Sequence, residues 1–177
     1  MPSDVAHYLL IDGYNVIHDV DELKNAAGIS LDMARLLLCD ALCEYAVLGG
    51  FRIILVFDAH MVADGFGKAE EYRGIKIVFT KEAQTADQYI ERTAYKLSKQ
   101  AKNERVSVAT SDAVEQLIIL ASGAIRITPG ELWKEMKSAK KRMLENYHKT
   151  RPVKKNPIEG LLDLETAKKL DAMRYGK

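Results

Sequence analysis

The chain has 177 residues, of which 47% are hydrophobic and 29% charged, and this composition excludes a fibrous or disordered protein. No apolar run is long enough to span a bilayer, and nothing near the N-terminus resembles a secretory signal, so we expect a cytoplasmic protein without a membrane partner. The net charge of +1 conceals an asymmetry, because residues 134–177 hold 13 Lys and Arg against 6 Asp and Glu. A basic tail favours a polyanionic partner, although a solvated basic helix gives the same pattern.

Short apolar runs alternate with helical stretches along the chain. In chain order, the runs that predict strands are Leu9–Asp12, Arg52–Asp58, Ile75–Phe79, Val106–Ala109 and Ala124–Ile127. Continuous runs of Ile, Val and Leu are typical of strands that are buried on both faces of a parallel sheet. The alternation therefore predicts a doubly wound α/β domain.

Helix signals lie between these strands. Helices are expected after the polar caps Ser30, Thr85 and Ser111 and from Pro129 onward. The stretch Ala59–Gly74 shows no periodicity, and a loop of this length is typical of a lid or a binding element. Residues 151–157 are interpreted as a linker before a short last helix, so the expected domains are 1–150 and 151–177.

Four aspartates are placed at or just after the carboxyl ends of predicted strands: Asp12, Asp58, Asp87 and Asp112. Ligands of an open parallel sheet bind at this edge. Carboxylates gathered there repel one another, and a bound hard divalent cation usually compensates this repulsion. Mg²⁺ is such a cation, and Mn²⁺ can substitute for it. A metal held this way can activate a water and bridge a phosphate, as in nucleases.

Neutral polar residues accompany these acids. Asn15, in the expected loop after Asp12, is suited to orienting a water or a phosphate oxygen. Thr110 and Ser111 can donate hydrogen bonds to a phosphate or to neighbouring carboxylates.

Each of these residues also has a purely structural interpretation. Asp87 and Asp112 can stabilise helix N-termini, Asp58 can be a turn residue, and Asn15 can hold a left-handed turn. The coincidence of four acids at equivalent strand ends favours a metal site over these alternatives.

Several other kinds of site are not indicated. The sequence contains no GxxxxGK[ST] loop and no GxGxxG after the first strand, so no nucleotide cofactor is expected. The histidines show no metal-ligand spacing, and GxSxG is absent. Cys39 and Cys43, four residues apart in one predicted helix, are interpreted as reduced core thiols.

Four motifs occur in order: DGYN at Asp12–Asn15, VFDAH at Val56–His60, TADQYIE at Thr85–Glu91 and ATSD at Ala109–Asp112. With them the chain resembles the bacterial YacP-like NYN-domain proteins, relatives of the PIN-domain nucleases. The resemblance implies a PIN-like three-layer domain with a central, mainly parallel five-stranded sheet, in strand order near 3-2-1-4-5.

The resemblance also implies an Mg²⁺-dependent endoribonuclease that acts on RNA, with mRNA as substrate and the ribosome as a partner for some family members. The implied site is Asp12, Asp58, Asp87 and Asp112 with Asn15 beside them. We expect Asp12, Asp87 and Asp112 to hold the metal and Asp58 to support the site from its edge. The alternatives are a non-catalytic RNA- or ribosome-binding module and a phosphatase on a similar sheet.

Basic residues crowd the last long helix of the predicted domain. Lys137, Lys140 and Lys141 are the expected phosphate contacts on this helix, and Ser111 is the expected substrate contact near the acids. Phosphate contacts of this kind would bind the RNA backbone without reading bases. The alternative for the lysines is a solvated outer face.

Overall fold

The computed structural model describes residues 6–59, 67–100, 104–111 and 123–150. The chain divides into two units, Met1–Met143 and Leu144–Lys177. The predicted linker, the predicted last helix and the predicted helix from Asp112 lie outside the described residues. The domain boundary after residue 150 stays a prediction.

The described residues form six strands and five helices. The strands are β1 (His7–Asp12), β2 (Phe51–Phe57), β3 (Ala69–Tyr72), β4 (Ile75–Phe79), β5 (Arg105–Ala109) and β6 (Ile125–Ile127). The helices are α1 (Gly13–Asp19), α2 (Asp21–Ile29), α3 (Leu31–Gly49), α4 (Ala86–Gln100) and α5 (Pro129–Thr150).

One six-stranded sheet orders these strands as β3-β4-β2-β1-β5-β6. β1 is central and pairs in parallel with β2 on one side and with β5 on the other. β4 and β6 extend the sheet in parallel. The five predicted strands therefore have the expected order and direction, which confirms the α/β fold with a mainly parallel sheet.

The sheet also contains a strand that the sequence analysis assigned to a loop. β3 pairs antiparallel with β4, from Ala69 opposite Val78 to Tyr72 opposite Ile75. The prediction of five strands is thus wrong by one, and part of the predicted loop is a β-hairpin. Its sequence AEEY is mostly exposed and charged, so it lacks the apolar run by which the other strands were found.

Side chains of β1 alternate between two apolar cores. Leu9 and Ile11 are buried together with α1, α2 and α3 on one face of the sheet. Leu10 is buried on the other face, where Ile90 and Ala94 of α4 pack against it. Helices therefore cover both faces of the sheet, as the three-layer prediction requires. The continuous apolar run of β1 supplies buried side chains to both cores.

Several predicted helix ends are confirmed by their caps. Gly50 ends α3 with a positive φ of 65°, a left-handed conformation that favours glycine. The Thr85 hydroxyl accepts from Gln88 N at 3.3 Å, and Gln88 Oε1 accepts from Thr85 N at 3.4 Å, which completes the capping box of α4. Pro129 opens α5. Ser30 precedes α3 without a side-chain cap bond.

The segment after β1 differs from its prediction. The sequence analysis placed Asn15 in a loop, but α1 begins at Gly13, directly after the strand, and Asn15 lies inside this helix. α2 follows within two residues and was also not predicted. The difference bears on the site, because residues three and four apart in a helix lie on one side of it.

The cysteines confirm their interpretation as core thiols. Cys39 and Cys43 are free and buried on α3, and burial raises the pKa of Cys39 to about 12. A thiol with so high a pKa carries little thiolate at neutral pH and is therefore inert.

In the described part of the chain, no helix has the length and apolar character needed to cross a membrane.

Candidate active site

Asp12 occupies the junction between the central strand and its first helix. It is the last residue of β1 and the N-cap of α1, with extended backbone angles (φ −77°, ψ 108°). Its Oδ1 accepts a hydrogen bond from the backbone N–H of Asn15 at 3.0 Å. The same carboxylate thus ends the strand and starts the helix, which fixes its position at the carboxyl edge of the sheet.

Asn15 and Ser111 extend the contacts of this carboxylate. Asn15 Nδ2 donates to Asp12 Oδ2 at 3.4 Å, and the Ser111 hydroxyl donates to Asn15 Oδ1. Ser111 directly follows Thr110, a fully buried residue at the end of β5. Residues from the ends of two neighbouring strands therefore meet at Asn15.

The close approach of α1 to β2 depends on Gly13. A Cβ at this position would lie 2.2 Å from Cε1 of the Phe57 ring, which is closer than any tolerated contact. The Tyr14 ring packs on Phe57, with the ring centroids 5.1 Å apart. The absence of a side chain at Gly13 lets this aromatic pair support the start of α1.

Tyr14 is held at its hydroxyl by α3. Arg35 Nη1 donates to the Tyr14 hydroxyl at 3.3 Å, and Arg35 also pairs with Asp32. Burial raises the pKa of Tyr14, the Arg35 charge lowers it, and the Asp58 charge raises it again. The phenol is thus neutral at physiological pH.

Three of the four predicted acids line one cleft. Asp58 directly follows β2, and Asp87 lies in the first turn of α4. The cleft has a volume of about 330 Å³, and its lining consists of Asp12, Tyr14, Asn15, His18, Asp58, Thr85, Ala86 and Asp87. The structure therefore brings Asp12, Asp58, Asp87 and Asn15 together as the sequence analysis expected, while Asp112 lies outside the described residues.

The electrostatic environment of Asp12 is unfavourable for its charge. The residue is only 7% exposed, and burial raises the pKa of its carboxyl, as does the negative charge of Asp87. The hydrogen bonds from Asn15 oppose this shift and lower the pKa, and so does the backbone N–H of Tyr14. The fold therefore brings a second acid toward a buried carboxylate.

The described residues alone do not complete a metal centre. Among them, no group of three or more His, Cys, Asp and Glu side chains lies close enough together to hold a metal ion. Asp112, the third predicted ligand, is not among them because it lies outside the described ranges. The assignment of ligand and catalytic roles to individual residues stays a prediction.

Sequence reasoning missed part of the cleft lining. Tyr14 and His18 share α1 with Asn15, and Thr85 caps α4 beside Asp87. The signal that could have found the first two is the spacing 14, 15 and 18, which lies on one side of a helix. Without a predicted helix at this point, that spacing carried no meaning.

Two lysines of α5 pair with acids of other helices. Lys137 pairs with Glu22 of α2, and Lys140 Nζ lies 2.7 Å from Glu44 Oε2 of α3. Trp133 Nε1 also donates to Glu22, at 3.3 Å. Lys141 is exposed on the same helix. These ion pairs attach α5 to its neighbours, and phosphate binding by the three lysines stays a prediction.

Comparisons with known proteins identify the family. The protein-family model named "YacP-like NYN domain" matches residues 9–175 of this chain. The chain belongs to the YacP-like NYN domain family. NYN domains are nuclease domains, so the expectation of a nuclease fold is met at the level of the family.

Relatives from Bacillus subtilis agree with this membership. The chain is 38% identical to YacP over 141 residues, which cover 80% of this chain and 81% of YacP. A crystal structure of Rae1 (YacP) matches with a TM-score of 0.69 and 35% identity over 96% of this chain and 95% of that one. A crystal structure of a mutant of Rae1 matches with the same TM-score and identity, over 83% and 86%. The similarity therefore spans nearly the whole length of the relative.

Proposed function

We propose that this protein is a Mg²⁺- or Mn²⁺-dependent endoribonuclease that hydrolyses phosphodiester bonds in single-stranded RNA. The observation that carries the proposal is the cleft at the end of the central strand, where the buried Asp12 carboxylate shares one lining with Asp58 and Asp87. Membership in a nuclease family supports the same reaction class.

The side chains of the cleft suit a hard divalent cation. The acidic residues of its lining offer carboxylate oxygens, which such cations prefer. Burial and the charge of Asp87 both raise the pKa of Asp12, so the ionised site gains from a positive charge. We propose Asp12, Asp87 and Asp112 as the ligands, with Asp58 at the edge. When bound, the metal would supply Lewis acidity and a water of lowered pKa.

The protein's own groups prepare this site. Two N–H donors of Asn15 lower the pKa of Asp12 and so favour the ionised form that a metal ligand requires, against the larger effect of burial. The Tyr14 ring, fixed by Phe57 and by Arg35, forms a wall of the cleft. His18 lies exposed in the same lining, within reach of a bound polyanion.

The size of the cleft favours a single strand. A volume of about 330 Å³ is at the lower end of the range for ligand pockets, a size suited to one nucleotide. Specific recognition of RNA also mostly uses unpaired bases. From the family resemblance we extend the proposal to mRNA as substrate, in the cytoplasm, and to the ribosome as a partner.

Cleavage assays with matched variants test this function. Purified wild-type protein, incubated with a 5′-labelled unstructured RNA and Mg²⁺ or Mn²⁺, should produce internal cuts that EDTA abolishes. Asp12→Asn and Asp87→Asn should each slow cleavage by about 100-fold or more, because a metal site loses a charged ligand. Asp21→Asn, which changes an exposed aspartate outside the cleft lining, is the control and should cut at the wild-type rate.

The product distinguishes the proposal from its rivals. RNA binding without cuts by the wild type would point to a binding module, and release of inorganic phosphate would point to a phosphatase. Equal rates for wild type, Asp12→Asn and Asp87→Asn would remove these two residues from catalysis. Co-sedimentation with 70S ribosomes, at salt that removes non-specific binding, tests the partner separately from the chemistry.

A further inference from the structure

A chain of hydrogen bonds connects the end of β5 to the end of β1. The Ser111 hydroxyl donates to Asn15 Oδ1, and Asn15 Nδ2 donates to Asp12 Oδ2 at 3.4 Å. The backbone N–H of Asn15 donates to the other oxygen of Asp12, at 3.0 Å. Ser111 and Asn15 are 96 residues apart in sequence, so only the fold brings them together.

The direction of this chain is fixed by chemistry. An ionised carboxylate can only accept hydrogen bonds, so the Asn15 amide must turn its NH₂ group toward Asp12. The amide oxygen then points away from Asp12 and needs a donor, which the Ser111 hydroxyl provides. With the donor in place, the amide has a partner at each end, and its reversed orientation would bring its oxygen against the carboxylate.

The donor itself comes from an anchored part of the chain. Thr110, which precedes Ser111, is fully buried, and its backbone N–H donates to the Ile127 carbonyl of β6 at 3.3 Å. β5 in turn pairs directly with β1. The Ser111 hydroxyl is therefore held at a defined distance from Asp12 by the sheet rather than by a free loop.

We propose that Ser111 is a positioning residue that acts through Asn15 to orient the Asp12 carboxylate, and that it does not contact the RNA. This inference rests on the proposed nuclease function. In this arrangement each oxygen of Asp12 accepts one hydrogen bond from Asn15. A carboxylate has about four acceptor sites, and with the backbone N–H of Tyr14 as a third donor one site is left for a ligand in the cleft.

The test separates turnover from substrate binding. Ser111→Ala and Ser111→Val remove the hydroxyl, and Ser111→Thr keeps it in a side chain of the same shape as Val. We expect Ala and Val to lower kcat by about 5- to 10-fold, the effect of one hydrogen bond, with KM for RNA within about twofold of wild type. Thr should restore kcat. A raised KM with unchanged kcat would instead make Ser111 a substrate contact and overturn the inference.

A double-mutant comparison tests whether the effect passes through Asn15. In an Asn15→Ala background, Ser111→Ala should cause no further decrease of kcat, because the residue on which it acts is gone. An independent second decrease of the same size as in the wild-type background would contradict the proposed connection. Ser98→Ala, which removes a hydroxyl bonded to the Tyr95 carbonyl near the end of α4, is the matched control and should leave kcat unchanged.

A readout without turnover keeps this inference apart from the proposed function. The side-chain NH₂ signals of Asn15 in a ¹⁵N–¹H NMR spectrum should move in Ser111→Ala and Ser111→Val and return in Ser111→Thr. Unchanged signals in all three variants would show that Ser111 does not order Asn15, and the inference would fail. If the wild type leaves RNA uncut, the proposed function fails, while the NMR comparison still decides whether Ser111 positions the amide.

Discussion

The acidic cleft and the basic helix α5 arrange charge in opposite ways. In the cleft, the Asp12 carboxylate is 7% exposed and the charge of Asp87 raises its pKa, so the fold carries an electrostatic cost there. On α5, Lys137 and Lys140 have side chains that are 55% and 53% exposed, and each pairs with a glutamate of a neighbouring helix. Like charges brought together at a cost indicate a site, whereas opposite charges paired at the surface indicate only a stable surface.

Substitution of Gly13 and of Gly130 should give the largest difference in stability between the cleft and α5. A methyl group at Gly13 would overlap the Phe57 ring, while one at Gly130, in the first turn of α5, meets nothing within 4 Å. Gly13→Ala should therefore lower the free energy of unfolding by about 1–3 kcal/mol, the usual cost of overpacking. Gly130→Ala should leave it unchanged or raise it by up to about 1 kcal/mol. Urea unfolding measures both, and equal stabilities would contradict the packing under the cleft.

Removal of the buried charge itself should stabilise the protein. Because the pKa of Asp12 is raised above its ordinary value of 3.8, the native state binds its proton more tightly than the unfolded state does. The contribution of this residue to stability therefore falls as the pH rises above 3.8 through the native pKa. Asp12→Asn keeps an N-cap side chain without the charge, and in metal-free buffer at neutral pH it should raise Tm by about 2–4 °C.

Two conditions test whether the buried charge causes the expected rise in Tm of Asp12→Asn. The difference in Tm between Asp12→Asn and wild type should disappear at a pH of about 3, where the carboxyl is protonated in both states. Excess Mg²⁺ should also reduce it, because ligand binding stabilises only the protein that retains the site. A gain that persists at acidic pH would assign the effect to something other than the buried charge.

The ion pairs of α5 should show the smallest effects on stability. Lys137→Gln with Lys140→Gln, and Glu22→Gln with Glu44→Gln, should each leave the free energy of unfolding nearly unchanged, because exposed ion pairs contribute little. If Lys137, Lys140 and Lys141 also bind phosphates, as the sequence predicts, neutralising them should flatten the plot of log affinity for RNA against log salt. The slope should become shallower by about one unit for each phosphate that the protein no longer binds.

The glutamate variants provide the matched control for RNA binding. Neutral Gln at positions 22 and 44 releases both lysines from their partners, so RNA should bind more tightly if these lysines contact phosphates. Unchanged affinity and slope in both sets of variants would assign Lys137 and Lys140 to the attachment of α5 alone.

Much of the fold was accessible from the sequence because its strongest signals are apolar runs. Five strands were found from such runs, and their order was expected from the resemblance to the family. β3 was missed because Glu70 and Glu71 are both exposed, so the segment has no apolar run and only its pairing with β4 makes it a strand. α1 was missed because it has seven residues and starts at a glycine without a turn after β1.

The site was predictable as far as it depends on strand ends. Asp12 and Asp58 could be placed together because β1 and β2 are parallel neighbours, with Asp12 opposite Val56. The hydrogen bond from Ser111 to Asn15 could not be predicted, because it depends on the orientation of an amide in a helix that the sequence did not reveal. Asp112 and the ligand roles stay predictions.

The hairpin of β3 and β4 has a consequence for self-association. β4, with the sequence IKIVF, has the high β-propensity and low charge of segments that form intermolecular sheets. β3 occupies its free edge and presents exposed carboxylates of Glu70 and Glu71 to any approaching strand. Asp40 of α3 holds the hairpin by accepting from the Tyr72 hydroxyl and from Arg73. This short charged strand therefore protects the sheet from edge-to-edge aggregation, because its carboxylates oppose pairing with a strand of another molecule.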